Sequence, residues 1–251
     1  MLGVAYLGKD FSLFNEPTFG DAVTRLSTEV FMTYKQGLAA LLLSTAIATT
    51  GCAENPADKV PSATVAAPAT PAAAQTPVAQ ATTQPTMEGV VFEFGDGTEV
   101  GFEGSKVTGS HKGGFKTVSG TITVPGEDVS KAMVDIKMDM SSTWADDPKL
   151  EGHLKSEDFF DVAKYPTSTF VSSKIEKSET GHNVTGNLTF HGVTKEISFP
   201  ATITMEGDNV KTQAEFAINR KDFGVVYPGK PDDLIRDEVV IRFDIAANKK
   251  A

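Results

Sequence analysis

The sequence is poor in the residues from which most metal and redox sites are built. Cys52 is the one cysteine among 251 residues, and there are four histidines. A single cysteine excludes an intrachain disulfide and any zinc site made of several cysteines. No two histidines form an HxH or HxxxH pair, so no metal site and no other cofactor is predicted. The net charge of −10, from 23 basic against 33 acidic residues, argues against a nucleic-acid partner.

Residues 38–48 are almost all apolar or small, but this run is too short to span a bilayer. Its length suits the h-region of a secretory signal, and Lys35 supplies the positive charge before it. We therefore interpret residues 32–51 as a signal peptide, with a short buried helix as the alternative. Residues 1–31 are a doubtful upstream extension, because translation starting at Met32 would give an ordinary signal.

The signal ends in Thr-Thr-Gly-Cys, which resembles a bacterial lipoprotein lipobox, with Gly51 before Cys52 and Thr49 where leucine is usual. The resemblance implies that Cys52 is lipidated and begins the mature protein. Ordinary signal cleavage nearby is the alternative. Lipidation would anchor an exported protein to a membrane, in the bacterial periplasm or at the outer membrane.

Residues 52–86 are rich in Ala, Pro and Thr and contain no aromatic side chain. A segment of this kind cannot bury enough apolar surface to offset the entropy of ordering. We predict a disordered linker there, leading to a folded domain over residues 87–251.

The folded domain alternates between apolar and polar residues. The stretch MVDIKMDM, beginning at Met133, places apolar side chains at every second position, and so does VVIRFDI, beginning at Val239. This period of two predicts half-buried antiparallel strands. About eight such strands, without crossover helices, exclude a parallel βαβ fold and leave a sandwich or a closed barrel.

The segment HLKSEDFFDVAKYP, residues 153–166, sets two phenylalanines within a run of charges. We predict a short helix capped by Ser156 that lies across one end of the barrel. Phe159 and Phe160 would then turn toward the barrel interior while the charges face water.

Three ordered motifs resemble one family: GHLKSEDFFDVAKYPTSTFVSS, VTGNLTFHGVTKEISF and INRKDFGV. They are similar to the YceI-like family of periplasmic, lipocalin-like proteins, over roughly residues 90–245. The resemblance implies an all-β fold, an eight-stranded antiparallel lipocalin-like barrel with one or two short helices. It further implies a polyisoprenoid or isoprenoid-quinone ligand, no catalytic machinery and the homodimers known in the family.

The alternation and the resemblance together predict an apolar ligand-binding cavity. Its predicted lining is Ile136, Met138, Met140, Phe159, Phe160, Phe170, Leu188, Phe190, Phe199, Ile203, Phe216, Ile218, Phe223, Ile241 and Phe243. The alternative is that these residues only fill a packed core, in an envelope or stress protein that acts through protein partners.

Three polar features at the same motifs have modest predicted roles. We expect His191 to stabilise a turn, and Arg220 to form a surface or rim ion pair with Asp222. His153 could contact the head group of a ligand. No catalytic constellation is predicted, because no GxSxG motif accompanies the histidines and Cys52 belongs to the leader.

Overall fold

The computed structural model describes residues 53–67 and 88–250. The proposed extension, the signal peptide, Cys52 and the later part of the predicted linker lie outside the described residues. Within them are thirteen strands and one α-helix, α1, Pro148–Lys155. The strands are β1 (Thr64–Ala66), β2 (Val90–Phe94), β3 (Glu99–Lys106), β4 (Gly109–Phe115), β5 (Val118–Val124), β6 (Met133–Asp139), β7 (Thr143–Ala145), β8 (Thr167–Ser178), β9 (Gly181–Phe190), β10 (Val193–Glu206), β11 (Asn209–Asn219), β12 (Gly229–Lys230) and β13 (Asp233–Lys249).

The wall of the barrel consists of eight antiparallel strands, three of which are interrupted once. β2 and β3 both pair with β13, so together they form one interrupted strand. β4 with β5, and β6 with β7, likewise form one interrupted strand each. The order then runs β8, β9, β10, β11 and β13, and β13 returns to β2 and β3. The predicted closed, eight-stranded lipocalin-like barrel is confirmed.

The alternating residues face the barrel interior, as predicted. Val134, Ile136 and Met138 on β6 are all buried, and so are Phe243 and Ile245 on β13. Each Å² of apolar surface that these side chains bury stabilises the folded chain by about 25 cal/mol.

The first described segment differs from the predicted linker. Residues 56–59 form a 3₁₀ helix, and β1 pairs antiparallel with β10 through Val65 and Ile197. Ala63 donates a backbone hydrogen bond to Ala217 on β11, and Ala217 donates one to Pro61. β10 and β11 pair with each other only at residues 202–206 and 209–213, so residues 61–66 occupy the unpaired part of this seam.

The same segment also covers part of the outer wall. Ala57 is buried against Ala217 and Val240. The composition argument failed because these small residues need no core of their own: the barrel offers unpaired backbone groups and an apolar outer patch that the segment covers.

Helix α1 lies earlier than predicted. Asp147, not Ser156, is its N-cap, and its carboxylate accepts from the backbone N–H of Lys149 at 2.7 Å. Ser156 is instead the C-cap, and its hydroxyl donates to the carbonyl of His153 at 2.7 Å. The Asp-Pro pair outcompetes Ser156 because proline is favoured in the first turn and the aspartate satisfies free N–H groups there.

Phe159 and Phe160 therefore lie in a turn after α1. Their side chains are buried, at 7% and 8% exposure, as predicted for rings directed inward. We call α1 together with the turn over residues 156–166 the cap, and the end of the barrel that it covers the capped end. None of the helices in the described ranges has the length and hydropathy needed to cross a membrane.

Candidate functional site

An apolar cavity of about 140 Å³ lies inside the barrel beneath the cap. An engineered apolar cavity of ~150 Å³ is known to stay dry and to bind benzene, so this one matches a small hydrocarbon group in size. It is lined by Val100, Gly101, Phe102, Gly104, Phe115, Met138, Leu154, Phe159, Phe160, Ser168, Leu188, Phe190, Phe216, Ile218, Arg220, Val225, Ile235, Val239, Ile241 and Phe243.

The roof of the cavity is aromatic. The Phe160 ring centroid lies 5.8 Å from that of Phe102 and 5.4 Å from that of Phe190, both in edge-to-face geometry. The ring centroid of Phe159 lies 4.9 Å from that of His153 and 5.2 Å from that of Tyr227. Aromatic pairs in such geometry add about 0.5–1.5 kcal/mol each beyond the burial of area, so the cap is held by several of them.

The floor of the cavity is a second aromatic cluster. Phe216 stacks on Phe199 with centroids 4.1 Å apart, and Phe243 meets both rings edge-on at 5.7 Å. Phe170 lies behind Phe199 at 5.5 Å. These rings separate the cavity from the other half of the barrel, so a long hydrocarbon tail can extend further only if they move.

Two polar side chains reach the cavity lining. Ser168 is buried, and its hydroxyl donates to the backbone carbonyl of Thr189 at 2.8 Å. Arg220 is 5% exposed, and its guanidinium donates to the carbonyl of Val225 at 2.7 Å. Burial lowers the pKa of Arg220 from its ordinary value, and the nearby Asp237 acts in the opposite direction.

The predicted rim pair between Arg220 and Asp222 is wrong. Arg220 instead lies 3.4 Å from Asp237 and donates from Nε to the carbonyl of Arg236 at 3.0 Å. Residues 220–223 form a 3₁₀ helix that turns the Arg220 side chain inward under β13 and leaves Asp222 exposed.

Nine of the fifteen residues predicted from the sequence line the cavity. They are Met138, Phe159, Phe160, Leu188, Phe190, Phe216, Ile218, Ile241 and Phe243. The other six are buried elsewhere. Ile136, Phe170, Phe199, Ile203 and Phe223 belong to the main core, and Met140 packs beneath the cap. Contact of any of the fifteen with a ligand stays a prediction.

Several lining residues were missed, above all on β3 and β4. These strands read EVGFEGSK and GSHKGGF, and their glycines conceal the alternation of Phe102 and Phe115. A Cβ atom at Gly113 would overlap the ring of Phe102, so this glycine makes room for that ring. An aromatic residue in a glycine-rich strand was therefore the available signal.

Two of the four histidines make local contacts, and contact of His153 with a ligand head group stays a prediction. His191 has a φ of 50° at the turn between β9 and β10, and its Nδ1 donates to the carbonyl of Phe223 at 3.2 Å. His153 packs in the cap, and its Nε2 lies 2.9 Å from a carboxylate oxygen of Asp158. The described residues contain no group of three or more His, Cys, Asp or Glu side chains suited to a metal ion.

Comparison with known proteins gives a family and a fold. A family model described as a YceI-like domain matches residues 95–247. A UPF0312 protein of Pseudomonas fluorescens (strain SBW25) is 37% identical over 132 residues, which cover 49% of this chain and 68% of that protein. The chain spans about two thirds of the length of the curated relatives it matches, from 62% to 68%.

Two solved structures resemble the barrel. BcnA of Burkholderia cenocepacia is 26% identical, with a TM-score of 0.54 over 60% of this chain and 96% of that one. A polyisoprenoid binding domain from Saccharophagus degradans is 16% identical, with a TM-score of 0.53 over 64% of this chain and 99% of that one. At that identity the second likeness concerns the fold alone.

Proposed function

The chain belongs to the YceI-like family, and from that premise we propose that it binds a long apolar lipid in the bacterial cell envelope. The ligand class is a polyisoprenoid or an isoprenoid quinone, which the protein sequesters or transports without catalysing a reaction. The observation that carries this proposal is the apolar cavity between the aromatic floor and the cap.

The chemistry of the lining supports a hydrocarbon ligand. The lining is mostly hydrocarbon, as in Phe102, Leu188 and Ile241. Each methylene of a tail that is buried there contributes about 0.8 kcal/mol to the binding free energy. The structural neighbour from Saccharophagus degradans is described as a polyisoprenoid binding domain, which agrees with this ligand class.

We also propose that the protein is held at a membrane through a lipid on Cys52. Ala53 is the next residue, and it is hydrogen-bonded at the capped end: its N–H donates to Val107, and its carbonyl accepts from Arg236 at 2.8 Å. Val107 and its neighbour Leu234 expose 40% and 50% of their surface. An anchored residue 52 would thus keep the cavity end near the bilayer that supplies the ligand.

A second candidate function is a packed barrel that acts through protein partners. The tight stack of Phe199 on Phe216 favours it, because the buried core residues around these rings fill the barrel interior beyond the cavity. The homodimer implied by the family resemblance would be one form of such a contact.

Mass spectrometry of an organic extract from the full chain separates the two candidates. The chain should be exported in a bacterial host and purified without detergent. A stoichiometric isoprenoid species supports lipid binding and identifies the ligand. A folded, monodisperse protein without extractable lipid, which also fails to take up added isoprenoids, supports the packed barrel. Loss of membrane association in Cys52→Ser would support the anchor, whereas unchanged association would refute it.

A further inference from the structure

Arg220 keeps unused hydrogen-bonding capacity at the cavity wall. A guanidinium carries five N–H donors. Four hydrogen bonds satisfy four of them: Nε to Arg236 O, Nη1 to Val225 O, and Nη2 to Ile235 O and to Asp237 Oδ1. One N–H on Nη1 therefore has no protein acceptor within residues 53–67 and 88–250.

The charge of Arg220 is also incompletely balanced. Asp237 is the one carboxylate within 4.0 Å of its guanidinium among the described residues, at 3.4 Å. The same carboxylate accepts from Lys221 Nζ at the shorter distance of 2.8 Å. One aspartate thus faces two cations, and the more deeply buried cation has the longer contact. A buried charge is costly unless it is paired and hydrogen-bonded, so this position favours a further acceptor.

We infer that the cavity selects amphiphiles whose polar end carries an acceptor oxygen, anionic ones above all, and that Arg220 is the residue that selects them. Phosphate, carboxylate and quinone carbonyl groups share this chemistry. The other polar lining group, Ser168, spends its single hydroxyl hydrogen on Thr189 and cannot donate a second time. The inference rests on the proposed lipid-binding function and adds the nature of the head group.

Three probes with one C15 isoprenoid tail test the inference on the full chain. Their ends are a methyl group, a monophosphate and a trimethylammonium group, and each competes with a bound fluorescent polyene. The monophosphate should bind at least about tenfold more tightly than the ammonium probe, the change that corresponds to ~1.4 kcal/mol. Equal affinities for the three probes would overturn the inference and leave lipid binding intact. Failure of all three to bind would overturn both.

Two substitutions assign the preference to a residue. Arg220→Gln removes the charge at the cavity wall, and Lys221→Gln removes the exposed charge that shares Asp237. The preference for phosphate over ammonium should fall about tenfold in Arg220→Gln and remain in Lys221→Gln and in Arg220→Lys. A purely structural role would lower the unfolding midpoint of Arg220→Gln but leave the ratio of affinities unchanged. If Arg220→Gln does not fold, the wild-type comparison of the probes still tests the selection of anionic ends, and loss of the preference in Lys221→Gln would overturn its assignment to Arg220.

Discussion

Phe216 gives the most direct test of the cavity floor. Its ring is fully buried, lines the cavity and stacks on Phe199 at 4.1 Å. Replacing a buried phenylalanine by alanine costs about 3–5 kcal/mol of unfolding free energy. Since domains are stable by about 5–15 kcal/mol, Phe216→Ala should stay folded but be measurably weaker in chemical denaturation.

The same substitution should deepen the cavity. Each additional methylene that a ligand tail buries is worth about 0.8 kcal/mol, or about fourfold in affinity. In a series of saturated tails of increasing length, affinity should stop rising at a certain length in the wild type. In Phe216→Ala the rise should continue to longer tails, because the space vacated by the ring joins the cavity.

Phe170→Ala is the matched control for this experiment. Phe170 is also buried, but it lies behind Phe199 and does not line the cavity. It should lose a similar ~3–5 kcal/mol and keep the wild-type tail-length limit. If both variants keep the wild-type limit, the Phe199–Phe216 stack is not the floor that stops the tail.

Two further predictions concern stability. A chain beginning at Met87 should unfold at lower denaturant concentration than one beginning at Ala53, because it exposes Val240 and leaves the seam between β10 and β11 unfilled; equal midpoints would contradict this. The pKa of His182 is lowered, first by burial and then by Lys177, and Asp128 acts in the opposite direction. Neither of its ring nitrogens has a hydrogen-bond partner among the described residues. Below pH ~6.5 the unfolded chain binds a proton that the folded chain does not. As the pH is lowered, the free energy of unfolding should therefore decrease by at most ~1.4 kcal/mol per pH unit for this group. His182→Asn should lack that part of the slope in urea titrations between pH 7 and 5, and an unchanged slope would refute the assignment.

The strands were predictable because they obey one local rule, whereas the cavity depends on several strands at once. Period two identified Ile136 and Phe199 as inward residues, and both are buried. It could not show at which height of the barrel they lie, and both face the filled part of the barrel. Height depends on register: Phe199 is set opposite Val184 by the pairing of β10 with β9.

Arg220 and residues 53–67 were misjudged for a common reason. Their placement is decided by backbone groups on other elements: the carbonyls of Ile235 and Arg236 on β13 for the arginine, and Ala217 on β11 for the segment. Local composition describes what a segment can do alone and not which unpaired groups a completed barrel offers to it.

These features together define how a lipid can reach the cavity. The aromatic floor blocks passage from the other half of the barrel, and residues 61–66 fill the seam between β10 and β11. The cap is different: it contributes no residue to the strand pairing of the wall, and the side chains of Phe159 and Phe160 hold it in place together with a hydrogen bond from Met140 N–H to the carbonyl of Pro166. For the proposed lipid ligand we therefore expect entry through the capped end. That end also carries Ala53 and the exposed Val107, so an anchor at Cys52 would bring the membrane to the end through which we expect the lipid to enter.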